Sequence, residues 1–389
     1  MTDNLTLAAR AVKRGQELGA EEVAAAFSES TQTTITRRNR KIEQATQSTT
    51  AGLGASLLVD QRYSSHGTSD LRPEALDEFL QQAVAATRFL EPDECRGQAD
   101  IELCGRGSSP EQLDQDDPHW YERTSKDRAQ FALELEEALL ELHADDVISS
   151  SVFVADGAST SYRVMSNGFT GENQGAWYAM GGDMTLDDGE GKRPEAAAYF
   201  TARYFTDLPA PAEVAAEIAR RARERIGSIA TSTGAYPMIL ANRCAGRIVS
   251  ALGGPMSGDA LHENRSCLTD RLGTKIGSDL FTLIDDPTIP RGLGSRPWDG
   301  DTLVAKPRTI VKNGILESYN ISVYYSRKLK VDPTSGGRSN WVIPPGTRSA
   351  KEITQGLPKA ILVTGFLGGN SNAATGDFSL GIRGVLLEN

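Results

Sequence analysis

The glycine-rich run at residues 360–389 is the feature that most limits how this chain can fold. It opens with Ile361-Leu362-Val363, a short apolar stretch of β type that suits a strand buried on both faces. It then passes into Gly368-Gly369-Asn370-Ser371-Asn372, residue types that accept positive φ and leave backbone groups free. Two further short strands are expected around residues 377–380 and 384–387. A glycine-rich loop between core strands is a place where an extended peptide can lie. The same composition describes a structural cluster of β-turns, and taken alone it favours that reading.

Length and composition set the frame. A chain of 389 residues exceeds one ordinary core, so two domains are expected. A net charge of -11 and a pI near 5.1 argue against binding a nucleic-acid backbone, which needs a basic face. No apolar run is long enough to span a bilayer. Met1-Thr-Asp-Asn-Leu-Thr-Leu lacks the basic and apolar regions of a signal peptide, so a cytoplasmic location is the expectation. The four cysteines, Cys95, Cys104, Cys244 and Cys267, form no CxxC pair, which speaks against a disulfide framework or a zinc knuckle.

Along the chain, residues 5–18 place Leu5, Ala8, Ala9, Val12 and Leu18 on a helical face that stops at Gly19. Strands are expected over 22–30, 33–38, 52–60 and 63–68, with the basic Arg37-Arg38-Asn39-Arg40-Lys41 as a solvated strand edge. A helix opens at Pro73 and runs to about Phe89. Residues 91–120, acidic and punctuated by proline and glycine, read as a long surface connection. A helix over 125–143 follows, then an antiparallel meander over 147–205 with turns at Asp156-Gly157, Asn167-Gly168 and Asp188-Gly189. An amphipathic helix covers 211–226. Further on, Asn313-Gly314 suits the type I′ turn of a hairpin over 309–319, and a short helix is expected at 322–329. There is no internal repeat. The fold class is α+β in two domains. Residues 1–230 form an amino-terminal α/β-layered domain, and residues 231–389 a carboxy-terminal domain dominated by a curved, mostly antiparallel sheet.

Residues taken one at a time disclose no catalyst. His262-Glu263 followed by Cys267 comes nearest to a metal motif, but Cys267 lies roughly 140° around a regular helix from His262 and no third ligand is near in sequence. No G-x-S-x-G elbow occurs, and Ser257 and Cys267 have no activator visible in the sequence. Gly253-Gly254 and the glycines at 292 and 294 match neither a P-loop nor a dinucleotide fingerprint. Asp285-Asp286 is open to two readings, a cation-ligand pair or a turn cap.

Taken together, several segments resemble the TldD/PmbA family. They are Ser257-Gly258, Asn264-Arg-Ser-Cys-Leu-Thr-Asp-Arg-Leu-Gly273, Ile284-Asp-Asp-Pro-Thr-Ile-Pro-Arg-Gly-Leu-Gly-Ser-Arg-Pro-Trp-Asp-Gly300, Val311-Lys-Asn-Gly-Ile-Leu-Glu-Ser-Tyr319, Tyr325-Ser-Arg-Lys-Leu329 and Gly369-Asn-Ser-Asn-Ala-Ala-Thr-Gly-Asp-Phe-Ser-Leu-Gly381. The amino-terminal half is similar more loosely, through Leu53-Gly54, the 63–70 strand and turn, and the helix after it. The resemblance implies two kinds of subunit: a TldD type with an H-E-x-x-x-H zinc motif on a helix, and a PmbA/TldE type that lacks the motif and pairs with the zinc subunit. Here the matching segment, Arg247-Ile-Val-Ser-Ala-Leu-Gly-Gly-Pro-Met-Ser-Gly258, holds no His, Glu or Cys, so the chain is similar to the PmbA/TldE type.

The resemblance thus implies a non-zinc subunit of a metallopeptidase that processes peptides and unfolded segments. No metal is expected in this chain, zinc is expected in a TldD-like partner, and a heterodimer or homodimer is expected. Gly365, Gly368, Gly369, Asn370, Ser371, Asn372, Thr375 and Asp377 are the candidate substrate-binding residues. Two other readings stay open: an autonomous metallopeptidase using His262, Glu263 and Cys267, and a peptide-binding scaffold without catalysis. Members of the family continue well past the residue matching Asn389, so a shortened carboxy-terminal sheet is expected here.

Overall fold

Val23, Ala25 and Phe27, and again Thr33, Ile35 and Arg37, are buried at alternate positions of one uninterrupted strand, β1 (Glu22–Arg38). A single period-2 pattern of this length holds both patches on one face of a sheet. The expected break between residues 30 and 33 is therefore absent: the polar Ser30-Thr31-Gln32 stays in the ladder, paired to residues on both sides. In the computed structural model, residues 3–105 and 107–388 are described. The chain packs as two units, one running to Ile229 and including Thr288–Pro297, the other formed by Ala230–Pro287 and the residues from Trp298 onward. A single cut near residue 230 thus misses Thr288–Pro297, which packs with the first unit.

The first unit carries α1 (Asp3–Glu17), β1, β2 (Lys41–Val59), β3 (Arg62–Thr68), α2 (Pro73–Thr87), α3 (Pro110–Leu113), α4 (Ser125–Leu140), β4 (Val147–Met165), β5 (Thr170–Leu186), β6 (Glu195–Ala202) and α5 (Pro211–Arg223). Its strands form one antiparallel sheet in the order β3-β2-β1-β4-β5-β6. Helices α1 and α2 cover Val23, Ala25, Leu53, Leu57 and Val59, while α4 and α5 cover Ile35, Val152, Met180, Met184 and Leu186. The start of α4 is fixed by a capping box, in which Thr124 Oγ1 accepts from Asp127 N and Asp127 Oδ2 accepts from Thr124 N.

Three local expectations change. The basic patch is the β1–β2 hairpin turn rather than a strand edge, with Asn39 and Arg40 at φ 54° and 61°. Its Arg37 is buried and pairs with Glu136 of α4 at 2.7 Å, and Glu136 also accepts from Arg40 N. Asp156-Gly157 lies inside β4 rather than in a turn. A Cβ on Gly157 would sit 2.7 Å from Trp177 Nε1 and 2.8 Å from Thr31 O, so close packing explains this glycine. Asp156 is buried and takes a forked pair from Arg128 at 2.7–3.0 Å, with Trp120 Nε1 donating to it at 2.7 Å. The segment expected as a surface connection is pinned within the same unit. Arg291 Nε donates to Asp114 at 2.6 Å and its guanidinium stacks 3.6 Å over the Tyr204 ring. The Tyr204 hydroxyl and Arg291 together hold the Asp114 carboxyl below its usual range.

The second unit carries β7 (Met238–Leu240), α6 (Asn242–Ser250), α7 (Gly258–His262), β8 (Leu283–Asp285), β9 (Arg308–Lys312), β10 (Ile315–Leu316), α8 (Val323–Leu329), β11 (Trp341–Val342), α9 (Ala350–Gln355), β12 (Lys359–Ser371) and β13 (Phe378–Glu388). One antiparallel sheet runs β10-β9-β8-β11, and a second runs β13-β12-β7 with β7 parallel to β12. Asn313 and Gly314 (φ 49° and 79°) turn the expected hairpin, and Ser322 Oγ caps α8. Met256, Leu268, Leu283, Ile310, Val311 and Leu316 form the core. Among the described residues no helix is long and apolar enough to cross a membrane. The α+β class and the mostly antiparallel carboxy-terminal sheet agree with expectation.

Two measurements check this packing. Asp156→Ala strands the buried Arg128 charge and the Trp120 N–H, and is expected to cost about 3–5 kcal/mol in urea unfolding. The Glu217 carboxyl of α5 is held down to about 2 by Arg220 and then Arg221. Because its folded value lies below the ordinary 4.5, the stability it contributes is present above 4.5 and lost as pH falls toward 2. Arg220→Gln should move the Glu217 carbon-13 titration upward and reduce that acid-labile share.

Candidate functional site

Strand β12 is built from two chemically different halves. Ala360 and Val363 are fully buried, and the 361–363 stretch pairs with β7 on one side and β13 on the other. Cys244 Sγ donates to Val363 O at 3.2 Å, and burial pushes this thiol's pKa up. Beyond Val363 the chain turns to glycine. The ladder with β13 continues to Ser371, but β7 has ended, and that side of β12 pairs with no strand among the described residues. Arg243 Nε reaches the first carbonyl past the pairing, Thr364 O, at 3.2 Å.

The glycine run therefore continues the strand, where a loop was expected. Register shifts between Val363 and Gly365 and between Phe366 and Gly368 mark two bulges, which bend and twist the ribbon. Gly369 sits at φ 126°, and a Cβ there would lie 2.0 Å from Ser379 O. A Cβ on Gly365 would meet nothing within 4 Å, so the face of the ribbon is open at this position. The two short strands expected at 377–380 and 384–387 are one, β13, and Phe378, Ile382 and Val385 on it are exposed. Alternating apolar residues in 378–387 carried that signal in the sequence, obscured by the intervening glycines.

The turn at 372–377 holds itself together. Asn372 O accepts from Gly376 N at 2.8 Å, Asn372 Oδ1 accepts from Ala374 N at 2.9 Å, and Thr375 Oγ1 accepts from Asp377 N at 3.3 Å. The structure thus gathers Gly365, Gly368, Gly369, Asn370 and Ser371 on one strand, and Asn372, Thr375 and Asp377 in the turn at its end. Cys267 supports this turn from below: its N–H donates to Ala373 O at 2.8 Å, and its Sγ lies 3.2 Å from where a Gly376 Cβ would be.

His262, Glu263 and Cys267 do not assemble a cation site. His262 ends α7 with its ring 6.2 Å from that of Tyr325, and Glu263 accepts from Arg265 Nε at 2.6 Å. Among the described residues no three His, Cys, Asp or Glu side chains gather to hold a metal ion. The segment matched to the zinc helix is not one helix either: α6 ends at Ser250, and turns at Gly253-Gly254 precede α7. Asp285 is engaged in the core, accepting from Arg308 at 2.8 Å and from Ser339 N at 2.7 Å.

The chain is similar to known proteins over most of its length. Residues 233–389 match the PmbA/TldA metallopeptidase C-terminal domain, and residues 23–87 match PmbA/TldA metallopeptidase domain 1. Metalloprotease PmbA of Escherichia coli O157:H7 is 29% identical over 380 residues, covering 96% of this chain and 82% of that protein. A solved structure from Bacteroides thetaiotaomicron, described as a candidate modulator of DNA gyrase, is 32% identical with a TM-score of 0.95, covering all of this chain and 88% of that one. TldE from Thermococcus kodakarensis, at 18% identity, shares the fold with a TM-score of 0.85 over 98% of this chain and 88% of that one.

Two alanine substitutions separate the roles of the glycines. Gly369→Ala must displace Ser379 and is expected to destabilise the second unit by about 1–3 kcal/mol. Gly365→Ala should unfold in urea like the parent.

Proposed function

Because this chain belongs to the PmbA/TldD metallopeptidase family, we propose that it is a PmbA/TldE-type subunit, without a zinc site of its own, of a peptidase completed by a TldD-like partner. The observation that carries the reading is the half-paired strand β12. From Gly365 to Ser371 its backbone is exposed or half-buried, bonded on one side to β13 and open on the other. An extended peptide adds there as a further strand, held by main-chain hydrogen bonds that depend little on its sequence. Such recognition suits peptides and unfolded segments, which present free backbone groups that folded proteins do not. Asn370 lies at the distal end of the strand and Thr375 and Asp377 in the turn, where they can fix the register of the bound chain.

Zinc, held by the partner, supplies an activated water for the cleavage. This chain's part is to bind and orient. The Val363 end is anchored by Ala241 N, which donates to Val363 O at 3.0 Å. That leaves the glycine half as the part of the strand available to substrate.

The test compares the chain alone with the chain plus a metal-bearing TldD-type subunit. Alone and stripped of metal, it is expected to bind an extended peptide and cleave none. With the partner, cleavage should appear, and zinc should travel with the complex. Cleavage by the metal-free chain alone would contradict the reading. So would stoichiometric zinc on the chain alone that is lost in His262→Ala or Cys267→Ala.

A further inference from the structure

The open side of β12 is closed off at one end. Strand β7 stops at Leu240, Ala241 N donates to Val363 O at 3.0 Å, and the chain then turns into α6. A strand added beside Gly365–Ser371 lies on the same side of β12 as β7, so it has to end or turn away where α6 begins. Arg243 stands at that boundary. Its Nε donates to Thr364 O at 3.2 Å, the last carbonyl before the glycine half. Its side chain is exposed and pairs with no carboxylate among the described residues. Helix α6 adds Arg247 one turn further on and carries no acidic residue. On β13, Arg383 stands opposite Gly365.

Charge is otherwise absent from this stretch. Residues 360–376 hold no Asp, Glu, Lys, Arg or His, and the first charge after them is Asp377, in the turn at the far end. Asp377 is exposed, and no cation pairs with its carboxylate among the described residues. The open lane thus runs from positive at Gly365 to negative beyond Ser371. A peptide carries the complementary charges at its own ends, an α-ammonium and an α-carboxylate. We propose that a peptide adds antiparallel to β12, with its free α-carboxylate against Arg243 and its amino end toward Asp377. Parallel addition would bring the ammonium to Arg243 and Arg383 and the carboxylate to Asp377, like charge against like. With Nε held by Thr364 O, the two outer guanidinium nitrogens form a fork that takes a carboxylate in two parallel hydrogen bonds. Residues 365–371 span roughly 20 Å at about 3.3 Å per residue, so a peptide of about six residues fills the glycine half. A long unfolded segment with no end nearby gains the main-chain bonds but not the carboxylate contact. The site therefore prefers short peptides with a free carboxyl end to internal segments. This preference rests on the reading of β12 as the strand to which a peptide adds.

The test is calorimetric titration of the purified chain with a six-residue peptide free of charged side chains, as the carboxylic acid and as the C-terminal amide. The acid is expected to bind about fivefold more tightly, the scale of an exposed charge pair, and salt should shrink the difference. Arg243→Gln should bring the acid close to the amide, while leaving the affinity for the amide and the urea unfolding curve unchanged. A purely structural role for Arg243 would not produce that pattern. A nitroxide on the amino end of the peptide should broaden the amide signals of residues 372–377 and spare Thr364 and Gly365. Equal affinity of acid and amide for the parent overturns the proposal, as does broadening at Gly365 or an acid preference that survives in Arg243→Gln. If amide exchange at 365–371 still slows in those cases, strand addition to β12 stands without it. Binding of neither form overturns both.

Discussion

Backbone hydrogen bonding along strands of very unequal length is the constraint on which the rest of this structure depends. A buried amide needs a partner, and an exposed one is free to find one. In the first unit β1 is paired over its whole length by β2 and β4, which gives α1, α2, α4 and α5 one continuous surface to cover. In the second unit β12 is paired on both sides only as far as Val363. Where a neighbour stops short, β3 at Thr68 and β7 at Leu240, one side of β2 and of β12 has no strand partner among the described residues.

Buried charge keeps the long sheet in register. Arg37 and Glu136, and Arg128 and Asp156, are pairs in which both side chains are nearly inaccessible. Each joins α4 to a strand: the first to β1 at the hairpin end, the second to the middle of β4. An isolated buried charge costs several kcal/mol, so a slip of either strand by one residue, which flips side chains to the opposite face, would be heavily penalised. The acidic, proline-punctuated stretch after α2 is held instead by a partly exposed pair, Asp114 with Arg291, and by the Tyr204 hydroxyl, which donates to Asp114.

Much of this was legible in the sequence, and the limits have physical causes. The helices from Pro73 and Ser125, the Asn313-Gly314 hairpin and the Ser322-capped helix follow from caps and turn chemistry, which act within a few residues. Strand continuity was not legible, because Ser30-Thr31-Gln32 and Asp156-Gly157 have turn-like composition and stay extended through cross-strand partners remote in sequence. The basic hairpin misled for the same reason: the partner of Arg37 lies on a helix almost one hundred residues away. At the candidate site, the composition of 365–372 revealed the loose backbone. Only the early end of β7 showed that it belongs to a half-paired strand.

The central claim, that the glycine half of β12 receives an extended chain, is tested most directly by hydrogen exchange of the backbone amides with and without peptide. An unstructured peptide should slow exchange in residues 365–371 and leave 359–363 unchanged, and the same peptide methylated on alternate backbone nitrogens should lose the effect. Peptide binding that leaves 365–371 unprotected, or that protects another element instead, would contradict the account.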